Sequence, residues 1–284
     1  TRPAVDKALY DAYASSSDEL VQAITAANTR ADKTKRFRIF IYNGEYKLPA
    51  SATATKTGTD GVAYSDPTTY VTAPNISFIG ESRDGVVVTN IVPDKLVSTD
   101  YGPQNPLEGI GKGDVLRLEK TATGCYFQNL TIKSAMGDKH GRDIEVNDNS
   151  DKTIMKDVCL WGYQDTYVSN NENGRFYFEG GVLRGRTDFL CGKGDVFYNA
   201  VTLQMVGAGY LAVPSKPKQY GYIFKDCEIV GENDKADGGT NPDGKFTLGR
   251  PWGQGTPIAL FIDTKMTVRP SAVGWNEMGD GWPA

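Results

Sequence analysis

Five short segments in the second half of the chain repeat one pattern, and that repetition limits the fold more than any other feature of the sequence. They are FQNLTI at 127–132, MKDVCL at 155–160, FEGGVL at 178–183, FYNAVTL at 197–203 and FKDCEI at 224–229. Each opens on a large apolar residue. Asn or Asp follows two positions later in four of the five, and apolar positions then alternate; the fourth copy slips its last apolar residue by one. The anchors Phe127, Met155, Phe178, Phe197 and Phe224 lie 28, 23, 19 and 27 residues apart, a period that marks a solenoid or a propeller. Helical periodicity, an L-x-x-L-x-L core and a 40-residue blade signature are all missing. The remaining architecture is a β-solenoid, one coil per repeat, with parallel strands stacked in ladders and the Asn and Asp residues turning the corners.

Elsewhere the chain reads as short strands between loops. Only one segment has helical character: Ser16 is placed to cap, Glu19 to reach back as its capping-box partner, and Leu20, Val21, Ile24 and Ala27 follow at helical spacing. β-Branched and aromatic runs predict strands at 36–42, 75–80, 84–92 and 114–119, with loops at 49–74, 93–113 and 231–245. Strands resume beyond the last loop (FTLGRPW, IALFIDT), so residues 1–284 are expected to form one domain.

Composition removes several functions. The 284 residues hold no uncharged apolar run near the roughly 18 that a membrane helix needs. With 31 basic against 35 acidic side chains and no basic block among aromatics, nucleic acid is not an expected partner. His140 is the single histidine, which excludes a His-rich metal site. Cys125, Cys159, Cys191 and Cys227 contain no C-x-x-C pair. They fall at related coil positions, so buried ladder thiols and up to two disulfides both stay open. The opening TRPAVDKALYDAY lacks the apolar core of a signal peptide, as a trimmed secreted chain also would.

Chemistry concentrates in GYQDTY at 162–167 and GRTDFL at 185–190. Asp165 and Asp188 are 23 residues apart, the same interval as Met155 to Phe178. In a parallel solenoid that interval puts them on neighbouring coils, about 4.8 Å apart. Two carboxyls so close titrate apart, giving a proton donor and a nucleophile or base at neutral pH. Trp161, Tyr163, Tyr167 and Phe189 surround them, a composition suited to sugar rings. Cys191 lacks a nearby base and reads as structural, His140 as a solvated loop residue, and NDNSDK at 147–152 as a solvated turn. Ser134 and Ser169 lack a nucleophile-elbow context.

The segments GYQDTY, RTDFLCG and TLGRPWG, preceded by Gly44 and Tyr46 of IYNGEYKL, resemble in order and spacing the signatures of the pectin methylesterases, from about residue 17 to 276. The resemblance implies an all-β chain: a right-handed, single-stranded parallel β-helix with a short N-terminal helix and long loops. It implies Asp188 as nucleophile, Asp165 as general acid then base, Gln164 as oxyanion donor, Arg250 as the partner that keeps Asp188 ionised, and Trp252 stacked on a sugar. Tyr163, Tyr167 and Phe189 are expected to join it in substrate binding. The substrate would be methylated homogalacturonan (pectin), met by a secreted or periplasmic monomer without a cofactor or metal. The family's second glutamine, about 22 residues before Gln164, is here Arg142. Arg142 either serves as a charged oxyanion donor or caps a strand, and Asp143 and Glu145 beside it would add negative charge to the groove. Cys191 and Lys193 replace a usual aromatic and asparagine. A polygalacturonate lyase or hydrolase, a thioesterase using the same site, and a catalytically dead polysaccharide-binding module are the competing readings.

Overall fold

The computed structural model describes residues 6–49, 54–57, 61, 63–91, 114–135, 137, 142–215, 220–232, 240–253 and 257–278. The strands stack as parallel ladders in three sheets of nine, eight and seven strands. One coil shows the plan. Thr153–Lys156 lies in the first sheet, Cys159–Trp161 in the second and Tyr167–Ser169 in the third. The chain then re-enters the first sheet at Arg175–Glu179, in register with Thr153–Lys156. This is the expected parallel β-helix. Among the described residues no helix is long and apolar enough to cross a membrane.

The corner between the first and second sheets explains the repeat. Asn129, Asp157, Gly180, Ala200, Asp226 and Asp263 each take a positive φ there, between 47° and 62°. Asn, Asp and Gly tolerate this left-handed conformation at low cost. Inside the corner, Phe127 pairs with Met155, Met155 with Phe178, Phe178 with Tyr198, Tyr198 with Phe224, and Phe224 with Phe261. Phe178, Tyr198, Phe224 and Phe261 stack at 5.0, 4.7 and 4.6 Å between successive centroids. Each such pair contributes about 0.5–1.5 kcal/mol beyond its buried area.

The anchor of the fourth copy is therefore Tyr198 and not Phe197. Phe197 points outward, 37% exposed, and stacks on Tyr177. Counted from Tyr198, the last apolar residue Leu203 does not slip, the corner residue is Ala200, and Asn199 precedes the corner. Phe261 and Asp263 make a sixth copy that the sequence pattern missed.

The helix Ser17–Thr29 packs its buried Leu20, Ala23, Ile24 and Ala27 over the first strands, next to Ala12–Ala14 and Gly44–Leu48. It covers apolar edges that a solenoid would otherwise expose at its end. Ser16 caps it by accepting from the Glu19 amide at 3.2 Å. The Glu19 carboxylate reaches back one residue further than a capping box predicts, to the amide and hydroxyl of Ser15, both at 2.7 Å. Asn28 ties the helix to the third sheet, donating to the Tyr70 carbonyl at 2.9 Å and accepting from the Thr72 amide at 2.8 Å.

Several other expectations need correction. The 49–74 stretch is not all loop, because Ala54–Thr57 and Ala63–Asp66 form an antiparallel hairpin and Thr69–Val71 joins the third sheet. Residues 93–113 and His140 lie outside the described residues. The four cysteines are buried free thiols, and the paired neighbours of Cys159 and Cys191 are Thr131, Val182, Val168 and Val213, so these two do not share a ladder. Most of the 147–152 run is interior. Asn147, Asp148, Asn149 and Ser150 are buried, and Asp148 accepts from the Ser150 hydroxyl at 2.6 Å and the Tyr167 hydroxyl at 3.0 Å. Polar groups that satisfy one another need no water.

Candidate active site

The corner leading from the second sheet into the third brings the two chemistry-bearing motifs together. Gly162 and Gly185 open them, at positions where a side chain has little room. A Cβ on Gly185 would collide with the Cβ of Phe189, and one on Gly162 with the Glu145 carboxylate. The coils are then tied rung by rung. The Tyr163 carbonyl accepts from the amides of Arg186 at 2.7 Å and Thr187 at 3.0 Å, the Asp165 amide donates to the Thr187 carbonyl at 3.2 Å, and Tyr167 pairs with Leu190. This register sets Asp165 and Asp188 on the same place of adjacent coils, as their 23-residue spacing predicts. Both carry a left-handed backbone, with φ of 58° and 53°. That conformation is uncommon for a residue other than glycine and accompanies functional turns.

Both carboxyls line one cavity of about 210 Å³ together with Arg142, Gln164, Cys191, Val213, Arg250, Trp252 and Met278. Its floor is formed by Cys191 and Val213, which belong to a buried cluster with Ile144 and Val168; Tyr210, Trp252 and Met278 pack around that cluster. Arg250 and Trp252 follow the strand Thr247–Gly249 and are fixed by backbone bonds to Ala212 at 3.2 Å and Pro214 at 3.0 Å. The Arg250 guanidinium lies 3.9 Å above the Tyr210 ring and grips Asp188 with two hydrogen bonds, Nε to Oδ1 at 2.9 Å and Nη2 to Oδ2 at 2.6 Å. Burial pushes the Asp188 carboxyl up from its ordinary value. Arg250, and after it the charge of Arg142, pull it down without outweighing that burial.

Asp165 has its own cation. Arg142 Nε sits 2.9 Å from its Oδ2, and the Cys191 thiol donates to its Oδ1 at 3.5 Å. Burial, then the charges of Asp165 and Asp188, push the Cys191 thiol well up, so it stays protonated. It is a donor here and not a nucleophile. Asp143 and Glu145 are buried, and desolvation followed by the Asp143 charge pushes the Glu145 carboxyl well up. That direction lessens the negative charge expected of Glu145. Among the described residues no three His, Cys, Asp or Glu side chains are arranged to hold a metal ion.

Three of the aromatic residues expected to bind substrate are placed elsewhere. Tyr167 and Phe189 are wholly buried in the core of the coil. Tyr163 is 3% exposed, with its ring under the guanidinium of Arg184 at 4.6 Å. Trp252 alone of the expected aromatics reaches the cavity. Val213, Met278 and Tyr210 were not singled out from sequence; Val213 follows Cys191 by 22 residues, an interval close to the 23 between the aspartates.

The sequence and the fold have known counterparts. The family model described as Pectinesterase matches residues 116–282, more than half of the chain. Putative pectinesterase 11 of Arabidopsis thaliana is 27% identical over 161 residues, covering 55% of this chain and 41% of that protein. Pectinesterase A of Dickeya dadantii (strain 3937) is 26% identical over 232 residues, covering 72% and 58%. The chain thus spans about half the length of these curated relatives. The solved structure of pectin methylesterase from carrot superposes with a TM-score of 0.72 at 16% identity, covering 99% of this chain and 80% of that one, which shows a shared fold. With its motifs on adjacent coils of that fold and its second half matched by the family model, the chain belongs to the pectinesterase family.

Proposed function

We propose that this chain hydrolyses the methyl esters of galacturonate in homogalacturonan and releases methanol. The observation that carries the reading is the pair of left-handed aspartates at matched places on adjacent coils, both in one cavity, with Asp188 gripped by Arg250. Asp188 attacks the ester carbonyl, oriented by the two-point Arg250 contact. Gln164, in the same cavity, donates to the oxyanion that develops. Asp165 protonates the departing methoxy oxygen and afterwards takes a proton from the water that cleaves the acyl-enzyme. Trp252 offers a face to a sugar ring, and the apolar floor suits an uncharged ester better than a carboxylate.

The wider assignment follows from this reading. Residues 1–284 act as one catalytic β-helix domain, a monomer outside the cytoplasm where plant-wall polymer is met, with pectin as its partner and neither nucleic acid nor membrane. No cofactor enters the steps above. A non-catalytic polysaccharide-binding module is the second reading, favoured by the Arg142 contact that occupies Asp165.

Presenting the purified chain with highly methylated pectin, polygalacturonate and an acyl thioester separates the readings. Methanol from the first, without cleavage of the other two, is the expected result. Retention of pectin without methanol points to the binding module, and thioester cleavage alone to a different acyl hydrolase.

A further inference from the structure

Asp165 is held from both sides along the solenoid axis. Arg142 lies on the approach to the strand Val146–Asp148 of one neighbouring coil, and Cys191 sits in the centre of Leu190–Gly192 on the other. The Arg142 Nε–H is not aimed along the 2.9 Å contact, so the attraction is that of an ion pair and not of an aligned hydrogen bond. The pair is sheltered, with its side chains 13% and 6% exposed, so salt screens it weakly. The charged or titratable groups facing Asp165 among the described residues are Arg142, Cys191, Asp188 and Arg250. Arg250 is engaged on both oxygens of Asp188, and the thiol carries no charge. Asp143 and Glu145 continue the Arg142 segment, are buried, and send their carboxyls to the amides of Gly137 and Ser134. Among the described residues, Arg142 is thus the cation in direct contact with Asp165.

We propose that Arg142 is a positioning residue for Asp165 that sets the alkaline limit of the reaction, and not a donor to the substrate oxyanion. In the first half-reaction the Asp165 O–H proton passes to the methoxy oxygen as the ester C–O bond breaks. Methanol leaves, and the acyl carbon stays bonded to Asp188. In the second, Asp165 takes a proton from water as the water oxygen bonds to that carbon and Asp188 is released. A cation in contact favours the carboxylate over the carboxylic acid. Arg142 therefore helps the second half-reaction, which starts from the carboxylate, and limits the first, which starts from the acid. The kinetic half of this inference rests on the esterase reading; the hold on the Asp165 proton does not.

The test follows the Asp165 proton directly and through catalysis. Infrared difference spectra against Asp165→Asn give the pH at which the protonated carboxyl band disappears, in wild type, Arg142→Gln and Arg142→Lys without substrate. The same proteins give kcat/KM for methanol release across pH. Arg142→Gln is expected to keep the carboxyl band, and the alkaline limb, to a pH about one unit higher or more. Arg142→Lys is expected to restore the wild-type profile. A drop in kcat at every pH with band and limb unmoved would mark Arg142 as an oxyanion donor and overturn the proposal. Lower thermal stability with both unmoved would mark it as structural and overturn it equally. A moved band in a chain that releases no methanol would sink the esterase reading while leaving the Arg142 assignment standing. Arg142→Met supplies a second neutral side chain of similar reach where the glutamine variant does not fold.

Discussion

Asp165 and Asp188 present the same chemical group at matched places on adjacent coils, yet their surroundings differ. Asp188 has both oxygens in the fork of Arg250, while among the described residues Asp165 meets the sideways guanidinium of Arg142 and the Cys191 thiol. A bidentate fork fixes direction as well as charge, which a lysine cannot imitate. Arg250→Lys is therefore expected to lower kcat for methanol release on the order of 10²-fold through misplacement of Asp188, with near-UV circular dichroism unchanged. An unchanged kcat would remove orientation from the role of Arg250. A second residue-scale prediction concerns Asp148, whose carboxyl is pushed up by burial against the pull of its Ser150, Thr153 and Tyr167 hydrogen bonds. The unfolded chain then loses this proton first as pH rises, so the group costs stability from its ordinary value of about 3.8 upward until the folded carboxyl also ionises. Asp148→Asn is expected to gain Tm relative to wild type on going from pH 4 to pH 7. A constant or falling difference in Tm would show that Asp148 is not held neutral. The motif spacing revealed the aspartate pair, but not which aromatics beside it face outward: Asp165 and Asp188 sit at a left-handed corner before the strands Tyr167–Ser169 and Leu190–Gly192, so a period of two cannot be counted from them to Tyr167 and Phe189.

At the scale of the element, the corners decide the register. Six successive coils turn through a left-handed residue, four of them Asn or Asp, one Gly180 and one Ala200, at a place where glycine fits without strain. Ala200 is the one side chain among them that can neither hydrogen-bond locally nor lose its Cβ. Ala200→Gly is expected to stabilise the fold by about 0.5–1 kcal/mol, read as a shift of the denaturation midpoint. A destabilised variant would mean that the corner does not carry the strain. Much of this layer was legible in the repeat itself, because large apolar anchors and Asn or Asp corners are two signals with one period. The fourth copy was misread because Phe197 and Tyr198 are adjacent aromatics. Only pairing with Phe178 and Phe224 on the flanking coils selects Tyr198 for the interior. The short strand Thr69–Val71 and the hairpin before it left no comparable signal, since three- and four-residue strands among polar residues carry too little alternation to register.

Over the whole molecule, the solenoid converts sequence period into distance, so motifs far apart in the chain converge wherever coils align. Arg250 reaches Asp188 across 62 residues because Leu190–Gly192, Tyr210–Pro214 and Thr247–Gly249 are successive rungs of the third sheet. The formal charge of the chain is −4, and the site itself balances Arg142 and Arg250 against Asp165 and Asp188. A net acidic protein is expected to bind nearly neutral, highly methylated pectin better than de-esterified pectin at low salt, with the gap closing as salt is added. Affinity that rises steadily with de-esterification at low salt would contradict this. The assignment of the nucleophile is the claim on which the functional account depends. Its most direct measurement is methanol released from highly methylated pectin by the wild type and by Asp188→Ala, each shown to be folded. The account predicts steady release by the wild type and a loss of at least about 10³-fold in the variant. Comparable release by both proteins would contradict it.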